Sequence, residues 1–358
     1  MAKIFSFLPG QALGDFVFAC VLASSVREMF DEGELFVYYR DNRPYKKHIA
    51  SYIRNLNGFF SVPGDAPTGM LMDYFDPYGG RLPSGNQVFE QNRLKDADIV
   101  LSGSMLHELT LNALPLTTLR PPPKSVEAND NALIALGVDP AKWVACVYWK
   151  ESGYPFRWED SQRIIYDAAP YIAVIRHIIE NLGGQVIRLG HPTPLEIPKM
   201  PGFFDLAKIE NSEALQLYAV SIARFFVGSG SGPIAYGPAM NVPTAVTDQN
   251  YCLTAWNAHD YIVTQGFVHD GKVIRQTEAL DAGYLMPGKR PASESVLIRN
   301  TAAELIAATD EMFKTTVSCI GWRSTSEPEP KLPRPNAISF PIPRHYKREL
   351  LIPPSLRT

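Results

Sequence analysis

The sequence predicts an α/β protein made of two doubly wound halves, each built on a parallel sheet. Three observations carry that expectation. Apolar runs of strand length alternate with helix-period segments in both halves of the chain. Two glycine-bearing loops, Pro9 to Asp15 and Gly228 to Gly232, each join a strand to a helix. The 358 residues suffice for two ordinary domains of about 150 residues each.

Lys3 to Leu8 reads as the opening strand, followed by the first loop and a helix from about Phe16 to Met29. Leu35 to Tyr39 is a second strand, His48 to Asn57 a helix, Gly69 to Tyr74 a short element and Asp98 to Leu101 a third strand. Leu114 to Lys124, with Pro115 and Pro121 to Pro123, breaks regular structure and reads as a linker. Asn129 to Leu136 is a short helix closed by Gly137. In the second half, Trp143 to Trp149 is a strand, and Asp167 to Leu182 is a helix by its spacing of isoleucines, ended by Gly183 and Gly184. Gln185 to Leu189 and Phe203 to Leu206 are strands, and Ser212 to Ser221 is a helix. It leads into the Phe225 strand, the Gly-Ser loop, a short helix opened by Pro233 and the strand Pro243 to Val246. Thr301 to Phe313 is a late amphipathic helix. These boundaries give a first domain over 1–135, a second over 136–320 and a C-terminal arm over 321–358. From Ser324 onward the chain holds eight prolines, six Lys or Arg and three Glu, a composition for extended chain rather than packed helix.

Composition excludes several classes. The chain is 46% hydrophobic and 20% charged, as expected of a globular protein, and its net charge of −3 gives no argument for nucleic-acid binding. Cys20, Cys146, Cys252 and Cys319 form no C-x-x-C pair, so a disulfide framework or structural zinc is not expected. Met1 to Pro9 lacks the apolar core of a signal peptide. No apolar run reaches the roughly 18 residues of a membrane span. A cytoplasmic protein is expected, with peripheral membrane contact left open.

In open parallel sheets, ligands bind beyond the carboxyl ends of the strands, and both glycine-bearing loops fall at such ends. Gly228, Ser229, Gly230, Ser231 and Gly232 let backbone N–H groups approach an anion, and the helix behind them adds partial positive charge. Pro233 suits a first helical turn. The alternative is a tight strand-to-helix turn without a ligand. In the first loop, Gly14 permits a turn, and Asp15 either caps the following helix or acts as a general base toward an acceptor hydroxyl. The G-x-G-x-x-G dinucleotide fingerprint is absent.

Taken together, the loops resemble GT-B glycosyltransferases, above all the lipopolysaccharide heptosyltransferase-like group. Members open with a strand, a loop ending in Gly-Asp and a helix, as Lys3 to Leu8, Ala12-Leu13-Gly14-Asp15 and Phe16 onward do here. Their second domain carries G-x-D-T-G-x-x-H-x-A followed by a V-P-T strand. Gly228 to Gly232 and Val242-Pro243-Thr244 fall at the same spacing. A second set, Val147 to Arg157, Arg163 to Tyr166, Val186 to Gly190 and Phe226 to Gly232, is similar to a less characterised bacterial glycosyltransferase family. The resemblance implies two Rossmann-like domains facing a central cleft, a nucleotide-diphosphate sugar as co-substrate, no resident cofactor and Asp15 as the base. Gly230 stands where the group has Asp, and Ala235 where it has His. Those departures put the side-chain contacts to the donor in doubt and leave the backbone contacts.

Other residues have two readings each. Lys150 and Arg157 are either phosphate ligands or a solvated basic loop. Arg188, Gly190 and His191 either meet the nucleotide or form an ordinary strand-end turn. Asp248-Gln249-Asn250 is either turn chemistry or a contact to sugar hydroxyls, Asn250 being the donor candidate. His107 and Glu108, beyond the Leu101 strand, are either structural or acceptor contacts, the latter shared with Gly14. Asp96-Ala97-Asp98 precedes its strand and reads as capping rather than metal binding, and no cluster has metal-ligand spacing. The expected function is metal-independent transfer of a sugar to a hydroxyl of a glycan, a lipid-linked intermediate or a small molecule. A sugar-nucleotide epimerase and a non-catalytic binding protein of the same fold are the rivals.

Overall fold

The computed structural model describes residues 2–8, 13–63, 97–101, 117–152, 163–191, 195–249, 260–269, 271–274 and 296–316. The expected element at Gly69 to Tyr74 and the proline-rich arm lie outside them.

Among the described residues, the first half forms a four-stranded sheet in the order β3-β2-β1-β4. It comprises β1 (Ala2–Phe7), β2 (Gly33–Asp41), β3 (Leu56–Pro63) and β4 (Ile99–Leu101), all parallel. Helix α1 (Leu13–Arg27) joins β1 to β2, and α2 (Tyr45–Ala50) joins β2 to β3. β1 is buried from Ile4 to Phe7, because both faces of a parallel sheet are covered. One face carries an aromatic ladder in which Phe7 stacks on Tyr38 at 5.0 Å and Tyr38 on Phe60 at 5.1 Å.

The second half is a six-stranded sheet in the order β10-β9-β8-β5-β6-β7. Its strands are β5 (Val144–Tyr148), β6 (Gln185–Leu189), β7 (Phe203–Asp205), β8 (Phe225–Ser229), β9 (Thr244–Gln249) and β10 (Tyr261–Thr264), again all parallel. From β5 the chain winds outward through β6 and β7, then returns to β8 and winds the other way. The direction of winding reverses between β5 and β8, and a doubly wound sheet opens its ligand crevice at that switch point. Helices α4 (Ala169–Glu180) and α7 (Ala302–Thr315) cover one face, joined to Trp143, Val147 and Phe225 in one apolar cluster. Thr301, where the late amphipathic helix was expected to begin, is the N-cap of α7. Thr301 Oγ1 accepts from the Glu304 amide, and Glu304 Oε2 accepts from the Thr301 amide at 2.7 Å.

On the opposite face lie α5 (Glu213–Ser221), a 3-10 turn (Gly232–Ala235) and α6 (Tyr236–Ala239). Here the two halves join. Ile4, Phe16, Cys20 and Ile49 of the first half share one buried cluster with Tyr148, Leu217, Phe226, Ile234 and Val246 of the second. Helix α3 (Pro123–Ala135) lies against α5, where the Tyr218 hydroxyl donates to Asp130 and Leu133 is fully buried. The expected linker leads into α3 at Pro123, and Leu119 donates its amide to Ala239 of the second half at 2.9 Å.

Two expectations are corrected. The helix read over His48 to Asn57 stops at Ala50, Asn55 takes φ +53°, and strand β3 begins at Leu56. The region after β9 also holds strands that were not expected. Besides β10, an antiparallel sheet in the order β12-β11-β13 is formed by β11 (Gly266–His269), β12 (Lys272–Ile274) and β13 (Val296–Ile298). Asp98 is at the amino end of β4 and accepts a bond from the Lys3 amide at 2.8 Å, which suits a capping role. Among the described residues no helix is long and apolar enough to cross a membrane.

All five tryptophans lie from residue 143 onward, so their fluorescence reports only on the second half. Phe16 is fully buried in the shared cluster. Phe16→Ala should therefore lower stability by about 3–5 kcal/mol and shift the tryptophan-detected denaturation midpoint. An unmoved tryptophan signal would show that the halves unfold independently.

Candidate functional site

The carboxyl ends of β1 and β8 come together. Helix α1 starts at Leu13, so Asp15 is its third residue, inside the first turn rather than at the cap. The first turn rests directly on the Gly-Ser loop. A Cβ on Gly232 would lie 2.8 Å from Leu13 Cβ, and one on Gly14 would lie 3.8 Å from Gly232 Cα. Only glycine at 232 permits this approach. Two helical N-termini, each with partial positive charge, thus converge beside Asp15, which is half-buried.

Within the Gly-Ser loop the residues divide by what their backbone already does. Gly228 and Ser229 are ladder residues of β8, between β5 and β9. A Cβ on Gly228 would meet the Tyr148 carbonyl at 2.8 Å and Ile234 Cδ1 at 2.9 Å. Ser229 is buried, and its Oγ accepts from the Lys150 amide at 2.9 Å. The Gly230 amide donates to Thr247 O at 3.0 Å. These three residues therefore brace the loop and do not present amides to an anion, which corrects the expectation of a five-residue cradle. The amides of Ser231 and Gly232 make no hydrogen bond to a described residue. Ser231 is extended, and its Oγ accepts from the Tyr148 hydroxyl at 3.2 Å.

Around the loop, Lys150 leaves β5 at the switch point. Its backbone is held by Ser229 Oγ and by the Ile165 amide, which donates to Lys150 O at 2.8 Å. His191, just past β6, is half-buried. Arg157, Asn250, His107 and Glu108 lie outside the described residues.

Arg188 does not face the crevice. Its side chain is 1% exposed and bridges Glu151 at 2.8 Å and Asp205 at 3.0 Å. Its guanidinium stands 4.2 Å from the centre of the Trp149 ring, and the Trp149 indole donates to Glu151 at 2.6 Å. Two carboxylates already neutralise this cation, so it is not a nucleotide ligand. Gly190 is likewise occupied. The Gln216 carboxamide accepts from the Gly190 amide and donates to its carbonyl, both at 2.9 Å. Asp248 is structural too. It exchanges backbone–side-chain bonds with Asn300 at 2.6 and 2.8 Å and accepts from the Tyr171 hydroxyl at 2.8 Å. The expected turn is not formed at Asp248 and Gln249, which prolong strand β9; Asp248 takes φ +48° beside the register shift in the pairing of β9 with β10.

Two residues were missed, Tyr148 and Lys46, and Gln249 has a role other than the two readings given to its segment. Gln249 extends its side-chain oxygen to where a Cβ on Gly230 would stand, so it fills the space left by the absent side chain. Tyr148 orients Ser231, a pairing formed only when β5 and β8 become neighbours. Lys46 is fully buried at the start of α2, its Nζ donating to Asn42 Oδ1 at 2.7 Å and lying 5.2 Å from the centre of the Phe16 ring. Among the described residues, no three His, Cys, Asp or Glu side chains gather as metal ligands.

Two doubly wound parallel sheets with their loop-bearing carboxyl edges together define the GT-B fold of glycosyltransferases, and known structures agree. The chain is similar to a family 9 glycosyl transferase from Veillonella parvula, with 12% identity over 88% of this chain and 98% of that one, at a TM-score of 0.51. It is also similar to the ADP-heptose lipopolysaccharide heptosyltransferase II of E. coli, with 11% identity over 88% of this chain and 99% of that one, at a TM-score of 0.50. At such identities the likeness is one of fold. No family model matches the chain, and no curated protein matches it by sequence.

Two outcomes follow. Arg188→Met leaves the buried Glu151 and the partly buried Asp205 without their cation, and should cost about 3–5 kcal/mol in denaturant unfolding. Loss of ligand binding with full stability would restore Arg188 to the crevice. Burial, above all, raises the Asp248 carboxyl above its usual range in the native state. The native protein then binds a proton that the unfolded chain has released, so stability falls as pH rises from the ordinary carboxylate value through the raised one. Asp248→Asn should flatten that limb when denaturation midpoints are compared between about pH 4 and 7.

Proposed function

We propose that this chain is a GT-B glycosyltransferase that moves a sugar from a nucleotide-diphosphate sugar to a hydroxyl acceptor without a tightly bound metal. The observation that carries the reading is the contact of the α1 first turn with Gly232 at the switch point of the second sheet. It puts a carboxylate and two unengaged amides into one neighbourhood.

In this reading the Ser231 and Gly232 amides, backed by the helix that follows, hold the diphosphate. They stabilise it most as it leaves and gains charge. Lys150 at the end of β5 and Arg157 beyond it add positive charge. Asp15 accepts the proton of the acceptor hydroxyl as the oxygen attacks the anomeric carbon. Gly14 lets the acceptor approach the helix backbone, and His107 and Glu108 are further proposed acceptor contacts. His191 and Asn250 are the remaining proposed donor contacts. The acceptor is a glycan, a lipid-linked intermediate or a small molecule, and the reaction belongs in the cytoplasm.

The missing side chains at Gly230 and Ala235 favour one rival, a protein that binds the donor without transferring it. An epimerase on the same plan would release free nucleotide from the donor with no acceptor present. Asp15→Ala should reduce transfer by about 10²–10⁴-fold while leaving the donor Kd unchanged by calorimetry. Wild-type turnover in that variant would remove Asp15 as the base. Wild-type binding of a donor with no transfer to any acceptor class would favour the binding protein.

A further inference from the structure

One buried side chain near the site has nothing to pair with. Gln265 is 3% exposed, and neither its side-chain oxygen nor its nitrogen has a hydrogen-bond partner. It is the first residue past the carboxyl end of β10. Its amide donates to Gln249 O at 2.9 Å. Gln249 in turn fills the space over Gly230. A row of strand ends thus runs from the Gly-Ser loop through Gln249 to Gln265. It covers two strand spacings, or about 10 Å.

A buried carboxamide without partners loses its hydration and regains nothing, and such groups are rare in folded proteins unless a water or ligand completes them. The fold does not need this one. Its neighbours in β10, Ile262 and Val263, are buried apolar residues, and an apolar side chain at 265 would satisfy the same packing. A carboxamide offers one acceptor and two donors at fixed geometry, without charge. It suits a neutral group that both gives and takes a hydrogen bond, such as a base edge or a sugar hydroxyl.

We infer that Gln265 is a specificity-determining residue that hydrogen-bonds a neutral polar group of the donor, either on its nucleoside or on its sugar, beside the diphosphate. The inference rests on the donor-site reading proposed above. It also gives the glycine at 230 a purpose. A larger residue there would displace Gln249, which lies between the Gly-Ser loop and Gln265.

The test uses the full chain, with Gln265→Met as the near-isosteric apolar variant and Gln265→Asn as the shortened carboxamide. Three probes are titrated by calorimetry: inorganic pyrophosphate, a nucleoside diphosphate (ADP, UDP or GDP, whichever wild type binds) and the corresponding nucleotide sugar. Gln265→Met should keep its Tm or raise it, because an unpaired polar group is removed. Pyrophosphate affinity should be unchanged. Affinity for the nucleotide ligand should fall about tenfold, the usual effect of one lost hydrogen bond that leaves its partner unsatisfied. Weakening toward the bare nucleoside diphosphate assigns the contact to the nucleoside; weakening toward the nucleotide sugar alone assigns it to the sugar. Gln265→Asn should fall in between. Unchanged affinity for every probe with a raised Tm would overturn the inference and leave the donor site standing. If wild type bound none of the three, the donor site would fall as well.

Discussion

The close approach of two backbones at Gly232 governs the geometry of this molecule. A methyl group at that position would press on Leu13 at 2.8 Å, well inside van der Waals contact. Relief would require α1 to lift off the second half. Helix α1 also carries the first half into the shared core, through Phe16, Val17, Cys20 and Val21. One missing side chain therefore sets both the distance between the two loops and the seating of one half on the other. A loop that only reversed the chain would not need so tight an approach.

Beneath that contact the site is braced by groups that do not touch it. Ser229 ties the Gly-Ser loop to Lys150, and Tyr148 ties Ser231 to β5. The Arg188, Glu151 and Asp205 cluster fixes the ends of β5, β6 and β7 on one side of the switch point. Asp248 and Asn300 fix the end of β9 on the other. Buried ionic clusters add little net stability compared with apolar packing, since desolvation offsets attraction. Their contribution here is positional, because each joins strand ends around the switch point.

The parts of this arrangement that were legible in the sequence are those encoded locally. Glycine spacing marked the Gly-Ser loop, apolar runs marked the buried parallel strands, and amphipathic spacing from Thr301 marked α7. The β3 strand was lost because Ile49, Tyr52, Ile53 and Leu56 recur at helical spacing. Asn55, which adopts the left-handed conformation that ends helices, was the signal against it. Asp270-Gly271, between Val268 and Val273, is a hairpin signal that was passed over. Arg188 and Gly190 were misjudged for a different reason. Their partners Glu151, Asp205 and Gln216 are remote in sequence and adjacent only once β5, β6, β7 and α5 are in place. A charged residue at a strand end looks the same from sequence whether it faces a crevice or a carboxylate.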